Sequence, residues 1–183
     1  MKKTVIASVV ALSALASGMA NAAPNANAGT MDLNFSGTVS TTTCALDPVV
    51  NGINGKNDIA LGQTEINTKG VDVEVVFKPT AASAASCAGA QSDFVMQWEG
   101  VGSAFEANGL KAAAGSKASD SFVQIQATNA KTNNNTMASS EGFQYEFDKD
   151  TVAGDGLKYN VALMGGAQVG DMTATAKVQH WYK

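Results

Sequence analysis

The sequence predicts an all-β sandwich. Three observations carry that reading. Short runs of alternating apolar and polar residues recur at close intervals, polar turns rich in Asn and Gly separate them, and no stretch sustains a helical period. Composition agrees: Ala, Thr, Ser, Asn and Gly are abundant and aromatics make up only 7% of the 183 residues, which suits many short strands joined by polar turns.

The first segment belongs to no fold. Met1-Lys2-Lys3 is a basic start, residues 5–16 form an apolar run too short to span a bilayer comfortably, and Ala20-Asn21-Ala22 is a small-x-small cleavage motif. Together they read as a secretory signal peptide over residues 1–22, of bacterial character, with a periplasm as first destination. The mature chain then has about 160 residues, enough for one domain with a real core.

Elements follow in order. Residues 33–39 (LNFSGTV) alternate and run toward Cys44; residues 58–62 (DIALG) form a short extended piece after the polar turn at 51–57. Val71, Val73, Val75 and Phe77 share one side of a strand that Lys78-Pro79 ends. Residues 94–98, 143–147 and 159–163 read as further strands. Residues 121–128 (SFVQIQAT) place Phe122 and Ile125 on opposite faces, so their register stays open. Residues 103–120 read as a short helix or a loop, and residues 129–140 as a polar loop. The last strand lies in residues 170–183. Met172, Ala174, Ala176, Val178, His180 and Tyr182 fall on one mostly apolar face, and Thr173, Thr175, Lys177, Gln179 and Trp181 on the other. A chain stopping on such a strand must protect its edge, and a strand borrowed from another molecule is one solution.

Charge and chemistry exclude whole classes. The formal net charge is −4, and about −6 once Lys2 and Lys3 leave with the leader. The twelve basic residues are all lysines, unclustered, so nucleic acid is a poor partner. Cys44 and Cys87, an isolated pair in an oxidising compartment, read as a structural disulfide; there is no CxxC, and the one histidine, His180, is far along the chain. One histidine, no free thiol, no GxSxG and no metal-ligand cluster leave no catalytic residues, no metal site and no cofactor to expect.

Four features in order then carry a resemblance: Phe35-x-Gly37-x-Val39 leading to Cys44; Asp58-Ile59-x-Leu61-Gly62; a second cysteine after the next strand; and a C-terminal alternating strand entered through Gly170 with Tyr182 penultimate. The chain resembles fimbrial subunits (pilins) of the chaperone–usher pathway, over nearly its whole mature length, and looks most similar to single-domain host-attachment subunits of enteric bacteria. The resemblance implies an incomplete immunoglobulin-like sandwich lacking its final strand and completed by donor-strand complementation, a form of β-strand addition. It implies a donor extension over residues 23–34 ahead of a pilin domain over residues 35–183.

On the donor, Asn27, Gly29, Met31 and Leu33 would share a face, Gly29 allowing close backbone approach and Met31 and Leu33 acting as apolar plugs. The alternative is that Met31 and Leu33 simply begin the first strand of their own domain. The acceptor groove and chaperone contact would involve Ala174, Ala176, Val178, His180 and Tyr182, where His180 departs from the aliphatic residue the pattern would have. The implied partners are identical or related subunits, a periplasmic chaperone and an outer-membrane usher, with export through the periplasm to a surface fimbrium. The implied function is a structural subunit of an adhesive fimbria. The alternative is an adhesin subunit that itself binds a host glycan. Trp98, Tyr145, Trp181, Lys111, Lys117 and Lys131 are candidates to stack on or pair with that glycan, weighed against aromatics lying in the core and lysines in solvent.

Overall fold

The computed structural model describes residues 44–183. The expected leader, the expected donor residues Asn27, Gly29, Met31 and Leu33, and the strand expected at 33–39 lie outside the described residues. In chain order the elements are β1 (Leu46–Val50), β2 (Ile53–Asn54), β3 (Val73–Pro79), α1 (Ala84–Ala88), β4 (Phe94–Gly100), β5 (Phe105–Glu106), β6 (Gly109–Lys111), β7 (Phe122–Ala127), β8 (Phe143–Phe147), α2 (Lys149–Ala153), β9 (Leu157–Met164) and β10 (Ala176–Tyr182). They form two antiparallel sheets. One has seven strands in the order β2-β1-β3-β9-β7-β6-β5, the other three in the order β10-β4-β8.

Alternation sets the inward faces. In β3, Val75 is fully buried with Val73 and Phe77 half-buried on the same side, whereas Val71 is 81% exposed and precedes the strand. Lys78-Pro79 does not stop β3, because both residues still pair, Lys78 with Asp47 and Pro79 with Leu46. A proline is tolerated at a strand's last position, where its missing N–H matters least. The open register of 121–128 resolves with Val123, Ile125 and Ala127 inward and Phe122 outward, opposite Met164.

Residues 103–120 are neither helix nor plain loop. They contain the hairpin β5–β6, whose Gly109 has φ +116° and would carry a Cβ only 2.5 Å from the Val123 carbonyl oxygen. Only glycine fits there. The polar turn at 51–57 holds β2 and the reversal of the hairpin β1–β2, turning on Asn51 (φ 48°) and Gly52 (φ 80°), the left-handed pair of a tight hairpin. Residues 58–62 join no strand, yet Ile59 and Leu61 pack against the core.

The two sheets meet on Tyr159 of β9. Its ring is completely buried and takes the edges of Trp98 (5.3 Å), Tyr145 (5.4 Å), Phe77 (5.7 Å) and Phe147 (5.9 Å). Such edge-to-face pairs add roughly 0.5–1.5 kcal/mol each beyond area burial. Burial pushes the Tyr159 phenol well above its ordinary value of 10.0. The folded state therefore holds this proton more tightly than the unfolded chain does. The stability it contributes is complete below about pH 10 and is lost as pH rises beyond it. We expect the denaturation midpoint to fall on titration from about pH 9 to 11, and Tyr159→Phe to flatten part of that fall; a profile identical in both proteins would refute the assignment.

Candidate functional site

Four strands lie at sheet edges among the described residues: β2, β5, β8 and β10. Two residues each is too short for β2 and β5 to offer much edge. The loop after β7 covers β8: the Glu146 carbonyl accepts from the Lys131 and Thr132 N–H groups at 2.7 and 3.1 Å, and Asn133 Nδ2 donates to the Gln144 carbonyl at 2.8 Å. The seven residues of β10 pair with β4 on one side, from Ala176 opposite Gly100 to Tyr182 opposite Phe94, and with no described strand on the other.

The face of β10 that looks into the sandwich is built as the sequence patterning requires. Ala174, Ala176, Val178, His180 and Tyr182 are all half-buried, while Thr173, Thr175, Lys177 and Gln179 are exposed. Ala174, Ala176, Val178 and Tyr182 pack against the core cluster, and none of the five is fully buried. The small side chains of Ala174 and Ala176 let this row sit close against the core. The approach to the strand is tied down by loops. Ala113 N donates to the Thr173 carbonyl at 2.7 Å, and Val101 N to the Thr175 carbonyl at 2.9 Å.

His180 sits where the strand meets the disulfide. Its ring stacks on Phe94 with centroids 5.5 Å apart, and Nε2 lies 2.9 Å from the Cys44 carbonyl oxygen. A carbonyl can only accept, so Nε2 carries the proton and donates. Cys44 is bonded to Cys87, the buried residue of α1, with Cα atoms 5.0 Å apart. Tyr182 packs its edge on Phe94 at 5.0 Å; burial raises its phenol, and its hydroxyl has no hydrogen-bond partner among the described residues. Phe94 beneath both rings and the Cys44 carbonyl carry no sequence signal of this role.

The solvent face of the same sheet is a polar ladder. Lys177 Nζ reaches Glu99 Oε2 at 2.6 Å, Gln179 Nε2 donates to the same oxygen at 3.1 Å, and Gln144 Nε2 donates to Gln97 Oε1 at 2.7 Å. The Lys177 hydrogen bond holds the Glu99 carboxyl below its ordinary range. Trp181 lies on this face, opposite Val95. Of the aromatics considered as glycan platforms, Trp98 (5% exposed) and Tyr145 (0%) are core residues and cannot stack on a ligand. Lys131 is paired with Asp93 at 2.6 Å.

No family model matches the chain. The F107 fimbrial protein of Escherichia coli is 30% identical over 184 aligned residues, an alignment that covers all of both chains. The chain belongs to the fimbrial protein family. The K99 fimbrial protein of Escherichia coli is 41% identical over 83 residues, 45% of this chain and 42% of that protein. The crystal structure of the P pilus rod subunit PapA shares the fold, with TM-score 0.51 over 83% of this chain and all of that one, at 14% identity. The sandwich is thus that of pilus subunits, and the chain is a surface fimbrial subunit and not an enzyme.

Proposed function

We propose that this fimbrial subunit is a building block of an adhesive surface fimbria, polymerising by donor-strand exchange after chaperone-assisted export. The observation that carries the reading is β10, a seven-residue edge strand with a half-buried inward face and no described neighbour on its far side. Such an edge is a template for an added strand, whose main chain supplies affinity and whose alternate side chains supply specificity. A periplasmic chaperone covers the edge first. Residues 23–34 of the next subunit replace it at an outer-membrane usher, and the fibre carries its subunits to the host surface.

Size and polarity select a register. Run antiparallel to β10, the donor sets Leu33 beside Ala174, Met31 beside Ala176, Gly29 beside Val178 and Asn27 beside His180. Each large donor residue then meets a small acceptor, glycine meets the larger Val178, and the polar residues meet each other. Run parallel, Met31 crowds Val178 and Asn27 sits against Ala174, which leaves an amide without a partner.

The test is assembly. The subunit co-produced with its chaperone, then released and run unboiled on a denaturing gel, should give a ladder of heat-sensitive multimers that vanishes when residues 23–34 are deleted. A stable monomer in both forms, needing no chaperone, defeats the reading. The register has its own check: Met31→Cys should cross-link between subunits to Ala176→Cys, and cross-linking to Ala174→Cys or Val178→Cys instead would refute it.

A further inference from the structure

We propose that Asn51, in the turn of the β1–β2 hairpin, is a self-modification site, converted from amide to acid with the chain's own backbone as nucleophile. The step is succinimide formation. The Gly52 backbone nitrogen attacks Asn51 Cγ and forms a new C–N bond. The C–N bond of the side-chain amide breaks, and its nitrogen leaves as ammonia with the proton that Gly52 gives up. Water then opens the ring at one of its two carbonyls, leaving aspartate or isoaspartate at position 51. No oxidant, reductant or cofactor enters.

The chain has three Asn-Gly steps, at 51–52, 54–55 and 108–109. In each, the missing Cβ leaves the glycine nitrogen open to approach. The structure separates them. Asn51 and Gly52 are both exposed, and a Cβ on Gly52 would meet nothing within 4 Å. Among the described residues neither the Gly52 N–H nor the Asn51 side-chain amide makes a hydrogen bond. At the second step the nucleophile is occupied: the Gly55 N–H donates to the Pro48 carbonyl at 2.9 Å, and Asn54 is held in β2 opposite Val49. At the third, Gly109 is buried and paired with Glu106 across the β5–β6 hairpin. Either of these steps must first open local structure, at the cost of at least one hydrogen bond, or about tenfold in rate.

The two products act differently on the fold. Aspartate tolerates the left-handed φ of 48° at position 51, so it keeps the turn and adds a negative charge. Isoaspartate adds a methylene to the main chain, and a two-residue turn has no slack to absorb it. The pairing of Val50 with Ile53 and of Val49 with Asn54 is then lost. Because β2 is the strand that covers β1, its loss bares an edge of the seven-stranded sheet. Subunits in a fibre thus grow more acidic with age, and the isoaspartate fraction opens at this hairpin.

The experiment holds purified fibres in warm, mildly alkaline buffer beside the same chain reduced and unfolded in urea. Peptide mass spectrometry after reduction reads aspartate and isoaspartate at each step. In the unfolded chain the three steps should react alike. In fibres Asn51 should convert about tenfold faster than Asn54 or Asn108, and subunits should move to a lower isoelectric point. Asn51→Gly keeps a residue suited to positive φ and should abolish that move. Faster hydrogen exchange at Val50 and Ile53 in the isoaspartate fraction is expected, and unchanged exchange refutes the loss of β2. Conversion of Asn51 in the unfolded chain but not in fibres, equal or faster conversion at Asn54 or Asn108 in fibres, or an undiminished acidic move in Asn51→Gly would each overturn the proposal.

Discussion

Subunits carrying Ala176→Trp, produced alone, will form no heat-sensitive multimers, and neither will subunits lacking residues 23–34; mixed, the two will form a dimer and nothing longer. The argument is one of polarity in the chain. Donor-strand exchange gives each subunit one edge to offer and one strand to give. Ala176 is half-buried on the inward face of β10 and packs against the core. An indole there occupies the volume that a visiting Met31 would need, but leaves residues 23–34 able to donate. The deletion does the reverse, keeping β10 while losing the donor. Each defect alone stops growth completely, and the mixture permits a single exchange. Lys177→Trp is the control, because Lys177 is exposed on the opposite face, where the tryptophan meets only solvent and the Glu99 pair. A long ladder from Ala176→Trp alone, or a mixture that yields no dimer, rules out β10 as the acceptor.

Much of this architecture was legible because period-2 patterning survives wherever a strand is long and has one wet face. β8 and β10 read directly from FQYEF and from the row Ala174 to Tyr182, since polar residues alternate with apolar ones in both. Legibility failed where strands were too short to show a period. β5 and β6 have two and three residues, so the segment around them offered no alternation, and its sharp turn rested on one glycine. β1 was hidden by Pro48 in its middle, which argues against a strand unless the strand lies near a sheet edge; β1 has only the two-residue β2 outside it. Register in β7 was ambiguous because Phe122 and Ile125 are both large and apolar, and the structure turns Phe122 outward, opposite Met164. The acceptor face was readable as a row, but the contact of His180 with Cys44 joins residues 136 positions apart through a main-chain oxygen, which no side-chain pattern encodes.

Removing the disulfide is the second large effect expected. Cys44 and Cys87 are 2% and 1% exposed and close a loop with a sequence separation of 43. On the chain-entropy model such a crosslink contributes about 4 kcal/mol. That is a large part of the ~5–15 kcal/mol that holds a domain folded. Cys44→Ala/Cys87→Ala should therefore lower the denaturation free energy by about that amount. The loss should also have a local signature. The Cys44 carbonyl accepts from His180, so loosening Cys44 releases the inward face of β10 at its Phe94 end. Hydrogen exchange should accelerate more at amides of β10 than at those of β7 and β9 in the centre of the other sheet. His180→Ala provides the separation of causes. It removes one hydrogen bond and a ring contact, a loss of roughly 1–2 kcal/mol, and should reproduce the β10 exchange without the global drop. If the double alanine variant loses less than about 1 kcal/mol, the entropic account fails. If exchange rises evenly through both sheets, the disulfide stabilises the domain as a whole and does not act through the strand that accepts its neighbour.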